Sequence, residues 1–175
     1  MTDRLRDMDR DELAAWLHDA AKLWLAHDGL WFQSIEKKNG MDEAMEHDTN
    51  AWARFSPIEA KRIMRRLGIE PGGGIPALAR CLGHRLYAIL NEQEIVEQDD
   101  THLVFQMTDC RVQSARKRHG LDDFPCRSVG IVEYETFART IDPRIETRCV
   151  ACPPDDHPDD WYCRWEFTLR EEDRS

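Results

Sequence analysis

Two features of this 175-residue chain predict an α+β fold, with N-terminal helices packed with a C-terminal antiparallel sheet and two short interleaved helices. Apolar residues recur at helical spacing through about the first ninety positions. After residue 91 the pattern switches to period-two alternation. Helices first and strands after mark segregated elements, which is the α+β arrangement. Residues 1–91 (helical) and 92–175 (sheet) are read as one domain, 1–175, a length that suits a single core.

The first helix starts at Asp9, an N-cap with Glu12 three residues on, a capping-box pattern. Leu13, Trp16, Leu17, Ala20, Trp24, Trp31 and Ile35 then follow helical spacing to a C-cap at Asn39-Gly40, with Asp28-Gly29 as a kink point. A second helix is expected over about residues 42–55, carrying Met41, Ala44, Met45, Asp48, Trp52 and Phe55 on one stripe. Ser56-Pro57 reads as an N-cap with proline at the first helical position, so a third helix should begin there and stop at Gly68. Pro71-Gly-Gly-Gly-Ile-Pro76 is a connector: it lacks the Lys and Ser/Thr of a phosphate-binding loop, and no strand precedes it. A fourth helix is expected over about 76–91.

Residues 94–98 and 101–109 read as a hairpin across Asp99-Asp100. A short basic helix follows over 111–119, and another over 128–140. Residues 145–151 and 161–170 are strands. In the last, Trp161, Cys163, Trp165, Phe167 and Leu169 share one face.

The formal net charge is −10, which argues against a nucleic-acid partner. The densest basic run, 111–119, is flanked by acidic residues and reads as a solvated helix face. The first residues carry no apolar signal region, and no apolar run reaches the length of a membrane span. A cytoplasmic location is expected, and there six cysteines are thiols or metal ligands rather than disulfides. A homodimer is compatible with the sequence.

Five of the six cysteines, Cys110, Cys126, Cys149, Cys152 and Cys163, fall within 54 residues. Cys149-Val-Ala-Cys152 is a C-x2-C pair that can hold one ion from a turn. His157 follows, Cys163 opens the next strand, and Cys126 stands before a helix whose positive end favours a thiolate. Zinc held by Cys126, Cys149 and Cys163, with Cys152 or His157 completing the set, is the leading cofactor expectation. An iron–sulfur cluster ranks behind it, because the spacing matches no ferredoxin pattern. Cys81 and Cys110 are read as small buried apolar residues.

Ile145-Glu-Thr-Arg-Cys149, followed by Cys163-Arg-Trp-Glu-Phe-Thr-Leu169, resembles the end of the four-vinyl-reductase type small-molecule-binding domain, which also occurs in phenol-sensing regulators. The resemblance implies zinc beside a ligand pocket, with Cys126, Glu146, Cys149 and Cys163 as its ligands. The interval between Cys149 and Cys163 is longer than in that family and contains Cys152 and His157. Glu146 and Cys149 would point to opposite faces of a regular strand, which makes Cys152 the rival of Glu146. Asp28-Gly-Leu-Trp-Phe32, Glu36, Ala44, Asp48, Trp52, the Phe-Pro-Cys126 motif and Cys-Pro-Pro-Asp-Asp-His157 resemble a family of uncharacterised bacterial cytosolic proteins. That family is distantly similar to aminothiazoline-carboxylate hydrolases.

Glu36 and Asp48 lie on apolar stripes, and buried carboxylates need partners. Either they line a ligand pocket together with Trp31 and Trp52, or they pair with a nearby Arg or His. Three functions follow in order of preference. The first is a small-molecule-binding or sensory domain with a structural zinc. The second is a metal- or thiol-dependent hydrolase of a small carboxylated substrate. The third is a structural or interaction protein without a ligand. No Ser-His-Asp order or nucleotide-binding fingerprint supports a particular enzyme, so the presence of an enzymatic activity stays open.

Overall fold

The computed structural model describes residues 4–170. A short α1 (Arg4–Asp7) precedes α2 (Arg10–Asn39), and the Asp9 carboxylate accepts the backbone N–H of Glu12 at 2.8 Å. That bond satisfies one of the orphan donors of the first turn. α2 runs without interruption through Asp28-Gly29 and ends at Gly40, whose positive φ of 96° suits a residue without a Cβ.

The chain then forms one helix where two were expected. α3 (Met41–Leu67) contains Pro57 in its interior. Proline there removes one backbone bond, a local loss that usually ends a helix. The helix continues because its buried residues, Trp52, Ser56, Ala60, Ile63 and Met64, pack along a single line against α7. The reverse happens to the expected fourth helix. It divides into α4 (Gly74–Leu82) and α5 (Tyr87–Leu90), with the turn between them directing Arg85 inward. The guanidinium of Arg85 donates to Glu59 at 2.9 Å and lies 2.6 Å from Glu133, so two buried acids hold the turn. Burial opposes its charge, but Glu133 and Glu59 outweigh that and hold it well above the ordinary arginine range.

The strands are β1 (Glu92–Gln98), β2 (His102–Asp109), β3 (Ile145–Ala151) and β4 (Cys163–Leu169), in the antiparallel order β1-β2-β4-β3. Asp99 closes the hairpin by accepting the backbone N–H groups of Thr101 and His102. Between β2 and β3 lie α6 (Arg111–Arg118) and α7 (Arg127–Ile141).

The sheet's inner face carries rows set by register: Phe105 beside Trp165 beside Cys149, Leu103 beside Phe167 beside Thr147, and Met107 beside Cys163. α7 and α4 cover that face, α3 packs on α7, and α2 lies against α3. Phe105, Trp165 and Phe167 meet Tyr134 of α7 at the centre of the core. The outer face is polar, with Glu166 paired to His102 and Arg148.

The connector over 71–76 is pinned rather than loose. The buried Asp142 carboxylate accepts the N–H of Gly74 at 3.0 Å and the Arg144 guanidinium at 2.7 Å.

The apolar residues expected in the core from α2 are mostly outside it. Leu13, Trp16, Leu17 and Trp31 are exposed, and Ala21 is the buried residue of that helix. The helix touches α3 along the strip of Ala21 and Trp24, and Trp24 meets Trp52, Phe55 and Tyr87.

Candidate functional site

Four cysteines from three parts of the chain converge where α7 begins. Cys126 is the N-cap residue of α7, Cys149 lies in β3, Cys152 follows β3 and Cys163 opens β4. A β-bulge between Cys149 and Ala151 bends the strand just before Cys152. A polar clip fastens the two loops. Arg127 donates its backbone N–H to Pro153 O at 2.9 Å and its side chain to Asp155, while the Asp155 carboxylate accepts the N–H of Cys152.

The Cys152 sulfur stands 3.3 Å from that of Cys126. Hydrogen bonding to Cys126, Cys149 and Cys163, together with burial, pushes the Cys152 thiol far up. The same bond from Cys152, helped by Arg127, draws Cys149 below the usual thiol value. Cys152 thus holds its proton more tightly than a free thiol, and Cys149 loses its proton more readily than one. The Cys126 and Cys152 sulfurs are in direct contact. Among the described residues no group of three or more His, Cys, Asp or Glu has metal-holding geometry. A tetrahedral zinc thiolate with bonds of about 2.3 Å has sulfur–sulfur edges of about 3.8 Å, half an ångström longer than the contact present.

Two of the expected ligands stand elsewhere. Glu146 pairs with Thr168 in the sheet register, on the face away from Cys149, and forms an ion pair with Arg170. The bulge lies beyond Cys149, so it cannot turn Glu146 inward. His157 has Nδ1 2.8 Å from Pro158 O, and its ring lies beside Trp161 and Tyr162. Cys81 is fully buried, and Cys110 borders the site, with burial raising its thiol to about 12.

Against the thiols lies a cavity of about 580 Å3, walled by α2, α3, α6, α7 and the inner face of β4. Cys110, Cys126, Cys152 and Cys163 form part of one wall, and Trp52, Tyr87, Tyr134 and Trp165 supply rings. Gly130 makes room for Trp165, since a Cβ there would come within 2.8 Å of the indole. Trp165 is fully buried, and its Nε1–H finds no partner among the described residues.

Of the expected pocket residues, Asp48 and Trp52 border the cavity. Trp31 is 65% exposed on the outer side of α2. Glu36 is held by both terminal nitrogens of Arg116 at 3.1 and 3.2 Å, a forked pair between α2 and α6. Arg116 is accordingly buried, not part of a solvated face.

Among the described residues Asp48 has no ion-pair partner. Burial raises its carboxyl to about 7, the charges of Asp28 and Glu133 add to the rise, and hydrogen bonding from Trp52 works against it. Asp28 also borders the cavity and is raised by burial. Glu133 is raised by burial despite Arg85. The arrangement holds three acids around one apolar space, with Arg85 committed to one of them.

Asp28 and Glu133 were legible as members of apolar stripes. Asp28 lies one turn from Trp24 and from Phe32, and Glu133 one turn from Val129 and from Phe137. Trp165 and Tyr87 were visible only as core residues. Nothing in their local sequence separates a ring that fills a core from one that walls a cavity.

The crystal structure of the phenol-responsive sensory domain of the transcription activator PoxR, solved with phenol, is similar to this one. The TM-score is 0.56 at 17% sequence identity, over 82% of this chain and 73% of that chain. The class defined here is therefore that fold, an α+β domain in which helices close over one face of a four-stranded sheet. The chain belongs to DUF6125, a family of unknown function, which it matches over residues 6–169. No curated protein matches the sequence. No described helix is long and apolar enough to cross a membrane.

Proposed function

We propose that this chain is a small-molecule-binding domain of the sensory type, with its ligand seated in the cavity between α2, α6, α7 and β4. The observation that carries the reading is the cavity itself. Its volume of about 580 Å3 falls within the span typical of small-ligand sites, about 300–1,000 Å3, and its walls combine rings with a few polar groups. The fold it shares with a phenol-responsive sensory domain supports the same reading.

The proposal includes a structural zinc on Cys126, Cys149, Cys152 and Cys163. Its support is the donor set: three sulfurs converge on that of Cys152, and one of the four is biased toward thiolate. Opening the cluster by about half an ångström and losing the thiol protons would complete a four-thiolate set. A closed zinc site of that kind contributes folding energy and offers no open position for water. Here it would tie the start of α7 to β3 and β4 and so brace one wall of the cavity.

The test has two parts. Thermal-shift screening of small aromatic compounds is expected to yield stabilising ligands whose effect is lost in Gly29→Leu, which adds a side chain to the cavity wall at a position where a Cβ meets nothing within 4 Å. If the shifts are the same in that variant, the ligand lies elsewhere. Elemental analysis of protein purified without added metal is expected to give one zinc per chain, lost in Cys152→Ser. Six freely titrating thiols without metal would refute the zinc, and an equivalent of iron with visible absorbance would replace it with a cluster.

A further inference from the structure

The polar groups of the cavity narrow its ligand. Asp28 comes from α2 and Asp48 from α3, and both border a space lined by rings and thiols, with Lys22, Arg111, Arg116 and Arg118 also at its edge. Neither carboxylate has an ion-pair partner among the described residues, whereas Glu36, Glu59 and Glu133 each have an arginine. Arg116 borders the same cavity but is committed to Glu36 and to the carbonyl of Asp122. His27 offsets the burial of Asp28 only in part, and two half-buried carboxylates without a salt bridge are costly, a cost that a bound cation relieves. Trp52, Tyr87 and Trp165 border the same space, with Arg85 lying over the Trp52 and Tyr87 rings at 5.8 and 5.5 Å. Trp52 and Tyr87 stack at 5.7 Å between centroids, and the buried Trp165 indole N–H has no acceptor among the described residues. Ring faces of this kind favour a flat partner and a nearby cation.

We infer that the cavity takes a small aromatic or heteroaromatic compound bearing a protonated amine or amidine, with Asp28 and Asp48 receiving the cation and Trp52, Tyr87 and Trp165 enclosing the ring. This deepens the proposed function and rests on the cavity being the ligand site. A compound whose main polar group is a carboxylate is disfavoured, because it would add a fourth negative group beside Asp28, Asp48 and Glu133. Arg111, half-buried at the start of α6, also borders the cavity. Together with Lys22 and Arg118, which border the cavity too, it is the counterweight to this preference, and an anionic probe tests it. Near neutral pH, Asp48 is held partly protonated by burial and by its acidic neighbours. A cation seated beside it stabilises the ionised form, so binding releases a proton to the buffer.

The experiment uses three probes of one shape: tryptamine (cationic), tryptophol (neutral) and indole-3-acetate (anionic). Each is titrated calorimetrically into the full chain in two buffers of different ionisation enthalpy. Tryptamine is expected to bind most tightly, with proton release. Asp48→Asn and Asp28→Asn should each weaken it about tenfold while changing tryptophol less than threefold. Unliganded melting of both variants checks that they fold. If tryptophol or indole-3-acetate binds more tightly than tryptamine, or tryptamine binds equally to both variants, the cation preference is overturned and the ligand-site reading stands. If none of the three binds, the ligand-site reading falls and takes this inference with it.

Discussion

Replacing Asp48 with asparagine should stabilise the protein at alkaline pH, a consequence that follows from its place in the cavity wall. The folded state raises this carboxyl from 3.8 to about 7, first through burial, then through Asp28 and Glu133. Each pH unit of such a shift corresponds to about 1.4 kcal/mol, so ionised Asp48 costs at most about 4 kcal/mol. Partial access to solvent reduces that ceiling, and about 2–3 kcal/mol is the expected effect. The folded state binds this proton more tightly than the unfolded chain. The penalty is therefore absent below a pH of about 4, grows as pH rises toward about 7, and is complete above it. Asparagine keeps the shape and an acceptor for Trp52 and carries no charge. Urea unfolding of the two proteins at about pH 4 and about pH 8 measures the difference. The variant should match the parent within error in acid and exceed it by about 2–3 kcal/mol in base. Identical pH dependence of the two proteins, or a less stable variant at about pH 8, would refute the account of Asp48 as an unpartnered acid. Comparing variant with parent removes the surface pairs, which both proteins share, while the coupling of Asp48 to Asp28 and Glu133 stays within the measured difference.

Three further predictions concern what holds the cavity's frame. Arg85→Met leaves Glu59 and Glu133 buried without their cation and should cost about 3–5 kcal/mol by chemical denaturation. Adding Glu59→Gln and Glu133→Gln should restore part of that, and no recovery would contradict the ion-pair account. Gly130→Ala drives a Cβ to 2.8 Å from the Trp165 ring, an overpacking cost of about 1–3 kcal/mol against a helix-propensity gain of about 1. The urea midpoint should fall, and a raised melting temperature would show that Trp165 can yield. Asp142→Ala releases the Gly74 N–H and the Arg144 guanidinium together and should cost about 2–3 kcal/mol. Unchanged stability would mean that the connector over 71–76 is not pinned there.

What the sequence determined by itself is what depends on neighbours close along the chain. Period-two alternation places β3 over Ile145–Ala151, and the Asp9 carboxylate caps α2 as its spacing implies. The switch from helical to strand period sets the α+β class. The same period-two rule places Glu146 opposite Cys149, and the sheet obeys it.

Tertiary structure decided the rest, wherever a distant partner outweighed a local preference. Pro57 should end a helix, but packing of α3 on α7 carries the helix through it. Residues 76–91 have one helical pattern, but two acids far along the chain pull Arg85 inward and break it. Glu36 and Asp48 look alike on their stripes. Arg116, eighty residues from Glu36, neutralises one and leaves the other beside the cavity. The cysteines show the same division. Their number and crowding are properties of the chain, but only the bulge after Cys149 and the clip between Arg127 and Asp155 bring Cys152 to the centre. Local periodicity selects an element's type, because backbone sterics act over a few residues. Which polar group is neutralised and which is left facing a cavity depends on charges and volumes that only folding brings within a few ångströms.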